Sequence, residues 1–330
     1  MRLEINRVEG LRNDLLLQLD RAEIDSVLLS VANRNRLMAL PGMPRHRTAT
    51  PAEIEAVAAS KVEIGEHLRR LSILASDGSV QRRAVAISNR NLGTNHGHLA
   101  WQRAETPRIF RIREDPCDYP TYSCLAVWRG GAVSIEDLRF AFSEDRISRA
   151  SDGQDLTDEI EWATFGQRVL RGGTVARIED ILDQFYDARH ALAFDHHREE
   201  GERTRRALYD GYPSSFRANT RRAWQDLGVP RARYFHNAIG VGPHGLVVVQ
   251  REGTAEEIGS ALQHAGATDG IILDNGGSVV CWVWWANQYA GGIVSPTVDY
   301  RPPGTSAIGF VLKGPVRTEL PGGSVSYTVA

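Results

Sequence analysis

At 330 residues, 42% of them hydrophobic, the chain is long enough to bury a substantial core unaided. Its formal net charge of −2 leaves no bulk electrostatic case for a nucleic-acid partner or an anionic membrane surface. No apolar stretch reaches the length that a membrane-spanning helix requires.

From Met1 to Leu29 charges are scattered among the apolar residues, with no uninterrupted apolar run of the kind a secretion signal needs. That pattern predicts a cytoplasmic chain. Cys117, Cys124 and Cys281 form an odd, widely spaced set without zinc-ligand spacing, poor material for a disulfide framework. Up to about residue 45 the pattern is of strands interrupted by turns, with Ser26 to Ala32 the clearest. Thr50-Pro51 starts a helix with a hydroxyl cap and a proline in the first turn. Its buried face is marked by Ile54, Val57, Ile64, Leu68 and Leu71. Asp77-Gly78 then turns the chain into a strand, Arg83 to Ser88, which opens into Asn89 to His98, a loop rich in amides and histidines. Two readings of this loop stand side by side. Asn89 can donate to a phosphate or sugar hydroxyl, and His96 and His98 suit metal ligation or acid–base work. Alternatively the loop is solvated and these residues only tolerate left-handed backbone. Loops on rigid strands carry function disproportionately, which weighs in favour of Asn89.

Tyr122 to Phe140 reads as a hairpin turning at Arg129-Gly130-Gly131, with Leu125, Val127, Val133, Ile135 and Leu138 in alternation. Ile178 to Phe194 and Glu199 to Tyr212 combine helical spacing with dense charge. Residues 177–228 therefore read as a helical insertion within a single domain spanning 1–330, serving as a lid or a dimer contact. The insertion holds Asp195-His196-His197, but adjacent helical residues point about 100° apart, so a solvated face explains them better than a metal site.

Thr254 to Glu257 fits a capping box, and Ile258, Ala261, Leu262 and Ala265 follow at helical spacing until Gly266. The next strand runs into Asp274 and at once into Asn275-Gly276-Gly277-Ser278. Paired glycines are entropically expensive. What this turn offers is bare backbone N–H groups beside a carboxylate, an amide and a hydroxyl, and successive turn amides form an anion-binding concavity. The plainer reading is a hairpin whose glycines satisfy a positive φ. Beyond it, Trp282 and Trp284 share one strand face. Trp284 is either a platform beneath a sugar or a core anchor.

Three of these pieces, in order, are Trp162 to Val175, Phe235 to Gln250 and Leu273-Asp274-Asn275-Gly276-Gly277-Ser278. With Arg301 and the strand Ser306 to Leu312 downstream, they resemble the phosphodiester glycosidase family. Ala86-Ile87-Ser88-Asn89 is similar to that family's early Ala-Ile-Asn-Gly segment with one residue inserted. The resemblance covers about the C-terminal half. It implies an α+β fold, a mixed and largely antiparallel twisted sheet with flanking helices. It implies a hydrolase or transferase cleaving a glycosidic bond to a phosphate-linked sugar or nucleotide-like small molecule. On that pattern Gly276, Gly277 and Ser278 hold the phosphate with Asn275, Asn89 and Asn237, and Arg301 supplies positive charge. His236 assists when protonated. Asp274 activates water or stabilises charge developing on the sugar, or else accepts hydrogen bonds from its own turn.

Three departures bear on the substrate. Asn275 stands where the family has glycine, His236 where it has arginine and Asn237 where it has threonine. Losing the arginine removes a fixed charge and a bidentate donor for phosphate. Two other readings therefore stay open, a biosynthetic enzyme doing different chemistry on a small metabolite and a non-catalytic binding module. No resident cofactor is implied; a divalent metal and a homodimer are left open.

Overall fold

The structure is a computed structural model and describes residues 1–7, 14–31, 62–89, 99–105, 108–111, 121–141, 144–177, 234–275, 279–284, 292–293, 306–316 and 325–329. The chain opens with β1 (Arg2–Arg7), β2 (Asp14–Asp20) and β3 (Ile24–Val31), followed by helix α1 (Ile64–Arg70). Next come β4 (Ala84–Asn89), β5 (Leu99–Gln102), β6 (Ile109–Arg111), β7 (Thr121–Trp128) and β8 (Val133–Ala141). Then follow β9 (Arg146–Arg149), β10 (Ile160–Phe165), β11 (Gln167–Arg171) and β12 (Thr174–Val175). After them lie β13 (Tyr234–Gly242), β14 (Gly245–Gly253), helix α2 (Ala255–His264) and β15 (Asp269–Asn275). The last elements are β16 (Cys281–Val283), β17 (Gly292–Ile293), β18 (Ser306–Leu312) and β19 (Val325–Val329).

These strands form three sheets. The largest has eight strands in the order β12-β11-β15-β13-β14-β2-β1-β19. A six-stranded sheet runs β6-β5-β10-β7-β8-β9, and a five-stranded one β17-β16-β4-β18-β3. Every pairing is antiparallel except that of β1 with β19. This corrects the α+β expectation. Among the described residues the fold is predominantly β, with two α-helices rather than a helical layer. The physical reason is visible in the sequence itself: the apolar residues of most segments alternate with period two or run in short β-branched blocks, and only α2 carries a full helical stripe.

Local patterning positions each strand. In β2, Leu15, Leu17 and Leu19 point inward while their neighbours are partly exposed. By contrast, Leu246 to Gln250 of β14 are all buried, because their sheet is covered on both faces. One core fills the space between the inner face of the eight-stranded sheet and the five-stranded sheet, taking in Leu17, Val248, Leu273, Ile87, Trp282 and Phe310. Trp162, Leu125 and Ile135 of the six-stranded sheet join it. A second core lies on the other face of that six-stranded sheet, around Trp101, Tyr122 and Phe140. The third lies beneath α2, where Ile258 and Leu262 meet Ala238, Val247, Val249 and Ile272. The capping box is present: Thr254 Oγ1 accepts from Glu257 N–H, and Glu257 Oε2 accepts from Thr254 N–H.

The expected strands at Ser26–Ala32 and Arg83–Ser88 correspond to β3 and β4, and the hairpin at Tyr122–Phe140 to β7 and β8. Of the helix expected from Thr50-Pro51, residues 64–70 are helical and bury Ile64 and Leu68, but Val62 and Glu63 are not helical and Glu63 is an extended N-cap, so this helix starts at Ile64; residues 50–61 lie outside the described residues. So do the 178–228 part of the insertion, His96, His98, His196 and His197. No helix among the described residues is long and apolar enough to cross a membrane.

Candidate functional site

The site is built on six strands from all three sheets: β13, β14 and β15 of the largest, β10 of the six-stranded one, and β4 and β18 of the five-stranded one. β13 and β15 are neighbours, so that Asn237 lies opposite Asp274 and His236 opposite Asn275. The register shifts immediately before that pair: Ala238 faces Ile272, leaving Leu273 as an extra residue in β15. This bulge decides where the acid points. Ile272 faces α2, and strict alternation would return Asp274 to the same side. With Leu273 inserted, Leu273 and Asp274 both lie on the face that Asn237 and Ile239 present to the five-stranded sheet. Asp274 is only 2% exposed there. Burying a carboxylate is costly, and sites that do so are often functional.

A polar cluster surrounds this position. Asn237 Nδ2 donates to Ser88 O of β4 at 2.5 Å, and its Oδ1 accepts from Gln250 Nε2 of β14 at 3.1 Å. Gln250 Nε2 also donates to Val280 O at 3.1 Å. Val280 and Ser88 bond twice, Ser88 N–H to Val280 O at 3.0 Å and Val280 N–H to Ser88 Oγ at 3.1 Å. Alongside, Asn89 Nδ2 donates to Thr164 Oγ1 of β10 at 2.8 Å, while Asn89 O accepts from Ser306 Oγ of β18 at 2.7 Å. All of these side chains are buried. Polar groups concentrated in an otherwise apolar core are held by one another's hydrogen bonds and specify a single arrangement.

His236 is placed differently. Alternation along β13 puts it on the α2 face, away from Asp274 and Asn237. Burial depresses its pKa to about 4, against a smaller opposing effect from the Gly253 main chain. It is therefore neutral at ordinary pH, and the charge-assisting role that the sequence suggested is not open to it as placed. Trp284 is buried in the main core, and the Arg83 guanidinium lies 5.2 Å from its ring centroid. Asn275 is described in its backbone, at the end of β15. Gly276, Gly277, Ser278 and Arg301 lie outside the described residues.

The structure thus brings Asp274, Asn237 and Asn89 to one region and separates His236 from it. It adds Ser88, Thr164, Gln250 and Ser306, none of which the sequence reading had singled out. A signal for them existed: Ser88 and Gln250 each end an apolar strand run, and Ser306 begins one. A polar residue in a strand buried on both faces has to find partners inside. Cys124 and Cys281 are free and buried, and burial raises both thiols, so neither has reactive thiolate character. Among the described residues no three His, Cys, Asp or Glu side chains gather around a point suited to one metal ion.

No protein-family model matches the chain, and no curated protein matches it by sequence. Solved structures of distantly similar shape include the zebrafish N-acetylglucosamine-1-phosphodiester alpha-N-acetylglucosaminidase catalytic domain, auto-inhibited by its pro-peptide. It is 10% identical, with a TM-score of 0.46 over 92% of this chain and 78% of that one. A hypothetical protein from Synechocystis is 12% identical, with a TM-score of 0.38 over 94% of this chain and 61% of that one. A Burkholderia pseudomallei protein, provisionally named as exported, is 12% identical, with a TM-score of 0.41 over 91% and 73%. At these values the likeness is one of distant overall shape and assigns no activity. The cytoplasmic expectation is corrected here: one of these structures is named as exported, and a likeness of this degree assigns the chain no compartment.

Proposed function

We propose that the chain is a hydrolase or transferase that cleaves a glycosidic bond between a sugar and a phosphate, with Asp274 as its central acid. The observation that carries this reading is convergence. The segments that hold Ser88-Asn89, Asn237 and Asp274 are far apart in sequence and share the resemblance to phosphodiester glycosidases; they meet in one buried polar cluster. Thr164 and Ser306, from two further segments of that resemblance, bond to Asn89.

In a sugar joined to phosphate at its anomeric carbon, the leaving group is already a weak base. Little acid catalysis is needed, and the work lies in holding the phosphate and stabilising an oxocarbenium-like sugar. Asp274 takes a proton from water as the water oxygen bonds to the anomeric carbon. The bond from that carbon to the phosphate oxygen breaks, and the phosphate leaves with both electrons. The segment that follows, Asn275-Gly276-Gly277-Ser278, supplies N–H donors and a hydroxyl for the phosphate, and Arg301 a fixed charge. Asn89 and Asn237 orient the substrate or the acid through their amides.

The test is hydrolysis of a phosphodiester-linked N-acetylglucosamine model and of UDP-N-acetylglucosamine, with Asp274→Asn alongside, each with and without divalent metal. The expected result is turnover by the wild type that Asp274→Asn reduces by about 10²- to 10⁴-fold. No turnover by a folded wild type under any condition would overturn this reading in favour of a binding module or a different chemistry.

A further inference from the structure

Gln250 is the last residue of one of the segments that carry the resemblance, and its amide joins β13 to the segment at Val280. β13 in turn pairs with β15, which ends in Asp274 and Asn275, with Asp274 opposite Asn237. Gln250 Nε2 donates to Asn237 Oδ1 and to Val280 O, both at 3.1 Å. The circuit closes through β4: Asn237 Nδ2 donates to Ser88 O, and Ser88 bonds both main-chain groups of Val280. Ser88, Asn237, Gln250 and Val280 therefore form a ring of hydrogen bonds beside the end of β15, with every member buried.

The orientation of the Gln250 amide is dictated by this ring. Both Nε2 hydrogens have acceptors, while Oε1 has no partner among the described residues. The reverse orientation would set Oε1 against two other oxygens. A methionine or leucine would fill the same space in an apolar strand without leaving a buried acceptor, so what Gln250 contributes is its two donors.

We infer that Gln250 is a positioning residue, which sets the separation of β13 from the segment at Val280 and, through Asn237, the placement of Asp274. This rests on the proposed function for its catalytic consequence but not for its structural one. Catalytic geometry is sensitive to such remote support, since a shift of about 1 Å can cost on the order of 10²-fold in rate.

The experiment compares wild type, Gln250→Met and Gln250→Glu by site-resolved amide exchange and by steady-state kinetics on the phosphodiester-linked N-acetylglucosamine model. Gln250→Met keeps the bulk and removes both donors; Gln250→Glu, protonated at this buried position, keeps one. Exchange at Asp274 and Val280 is expected to rise by about tenfold or more in Gln250→Met, less in Gln250→Glu, with Val247 and Val248 of the same hairpin unchanged. Where the wild type turns over, kcat is expected to fall in the same order, by about 10²-fold in Gln250→Met, with a smaller change in KM. Unchanged exchange at Asp274 and Val280, or uniform acceleration along β13 and β14, overturns the inference. So does a local rise in exchange with kcat intact. If the wild type does not turn over, the reading of the reaction fails, and exchange alone decides the role of Gln250. Should Gln250→Met fail to fold, Gln250→Glu carries the comparison.

Discussion

Single atoms in the cluster have identifiable work. Ser88 Oγ is the acceptor for Val280 N–H in a buried setting, and no neighbouring backbone carbonyl is needed for that bond. Ser88→Ala would leave that N–H without its acceptor at almost no change in volume. The expected loss is about 1–3 kcal/mol of stability, the cost of stranding a buried donor, read as a lower urea midpoint with an unchanged denaturant slope. Asp274 shows the limit of sequence reasoning at this scale. Its candidacy was legible from a carboxylate set directly before Asn275-Gly276-Gly277-Ser278. Asn237 was legible from its motif, but Ser88 and Gln250 were not, because they meet Asn237 across sequence separations of 149 and 13 residues. His236 was chosen for its place in the same motif as Asn237, yet one step along a strand reverses the face.

Elements show where a local rule yields to packing. The capping box and apolar stripe of α2 were readable directly, since both follow from short-range spacing. Gly259 is the exception inside that helix. Helix propensity alone favours alanine there by about 1 kcal/mol. A Cβ at this position, however, would lie 2.4 Å from Val169 O of β11 and 3.0 Å from Val175 Cγ1. The glycine lets the helix backbone approach the sheet edge, and a carbonyl fixed in a strand cannot yield. Gly259→Ala is therefore expected to lower the melting temperature rather than raise it, by about 1–3 kcal/mol in stability. Thermal unfolding followed by circular dichroism checks the sign. The bulge at Leu273 belongs to this scale as well. It cannot be read from one strand, because it exists only in the register between β13 and β15.

For the molecule as a whole, acid is the revealing variable. His236 is nearly fully buried and its pKa falls from 6.5 to about 4 on folding. Between those values the unfolded chain takes up a proton that the native state refuses, so stability drops as pH falls from 6.5 to 4 and levels below. The shift corresponds to a difference on the order of 3 kcal/mol across that window. Asp14, on the same face, has its carboxyl raised by burial against the opposing charge of Arg251, and acts in the reverse sense. Asp137 and Asp155 are held below their usual range and withdraw support only at still lower pH. The clean measurement is a difference. Urea unfolding of wild type and His236→Leu from pH 4 to 7 should show a slope in the wild type that the variant lacks.

The sequence by itself determined the positions of many strands, the helix α2 with its cap, and the acid set directly before Asn275-Gly276-Gly277-Ser278. Each of these is set by residues within a few positions of one another. It misjudged the class of the fold, because counting helical stripes does not reveal how many strands share a sheet or that three sheets pack together. Tertiary structure alone decided the rest. It brought Ser88, Asn89, Thr164, Asn237, Gln250 and Ser306 together, turned Asp274 to their side and left His236 neutral on the opposite face of β13. Burial and strand register are properties of the assembled sheets, and no window of sequence contains them.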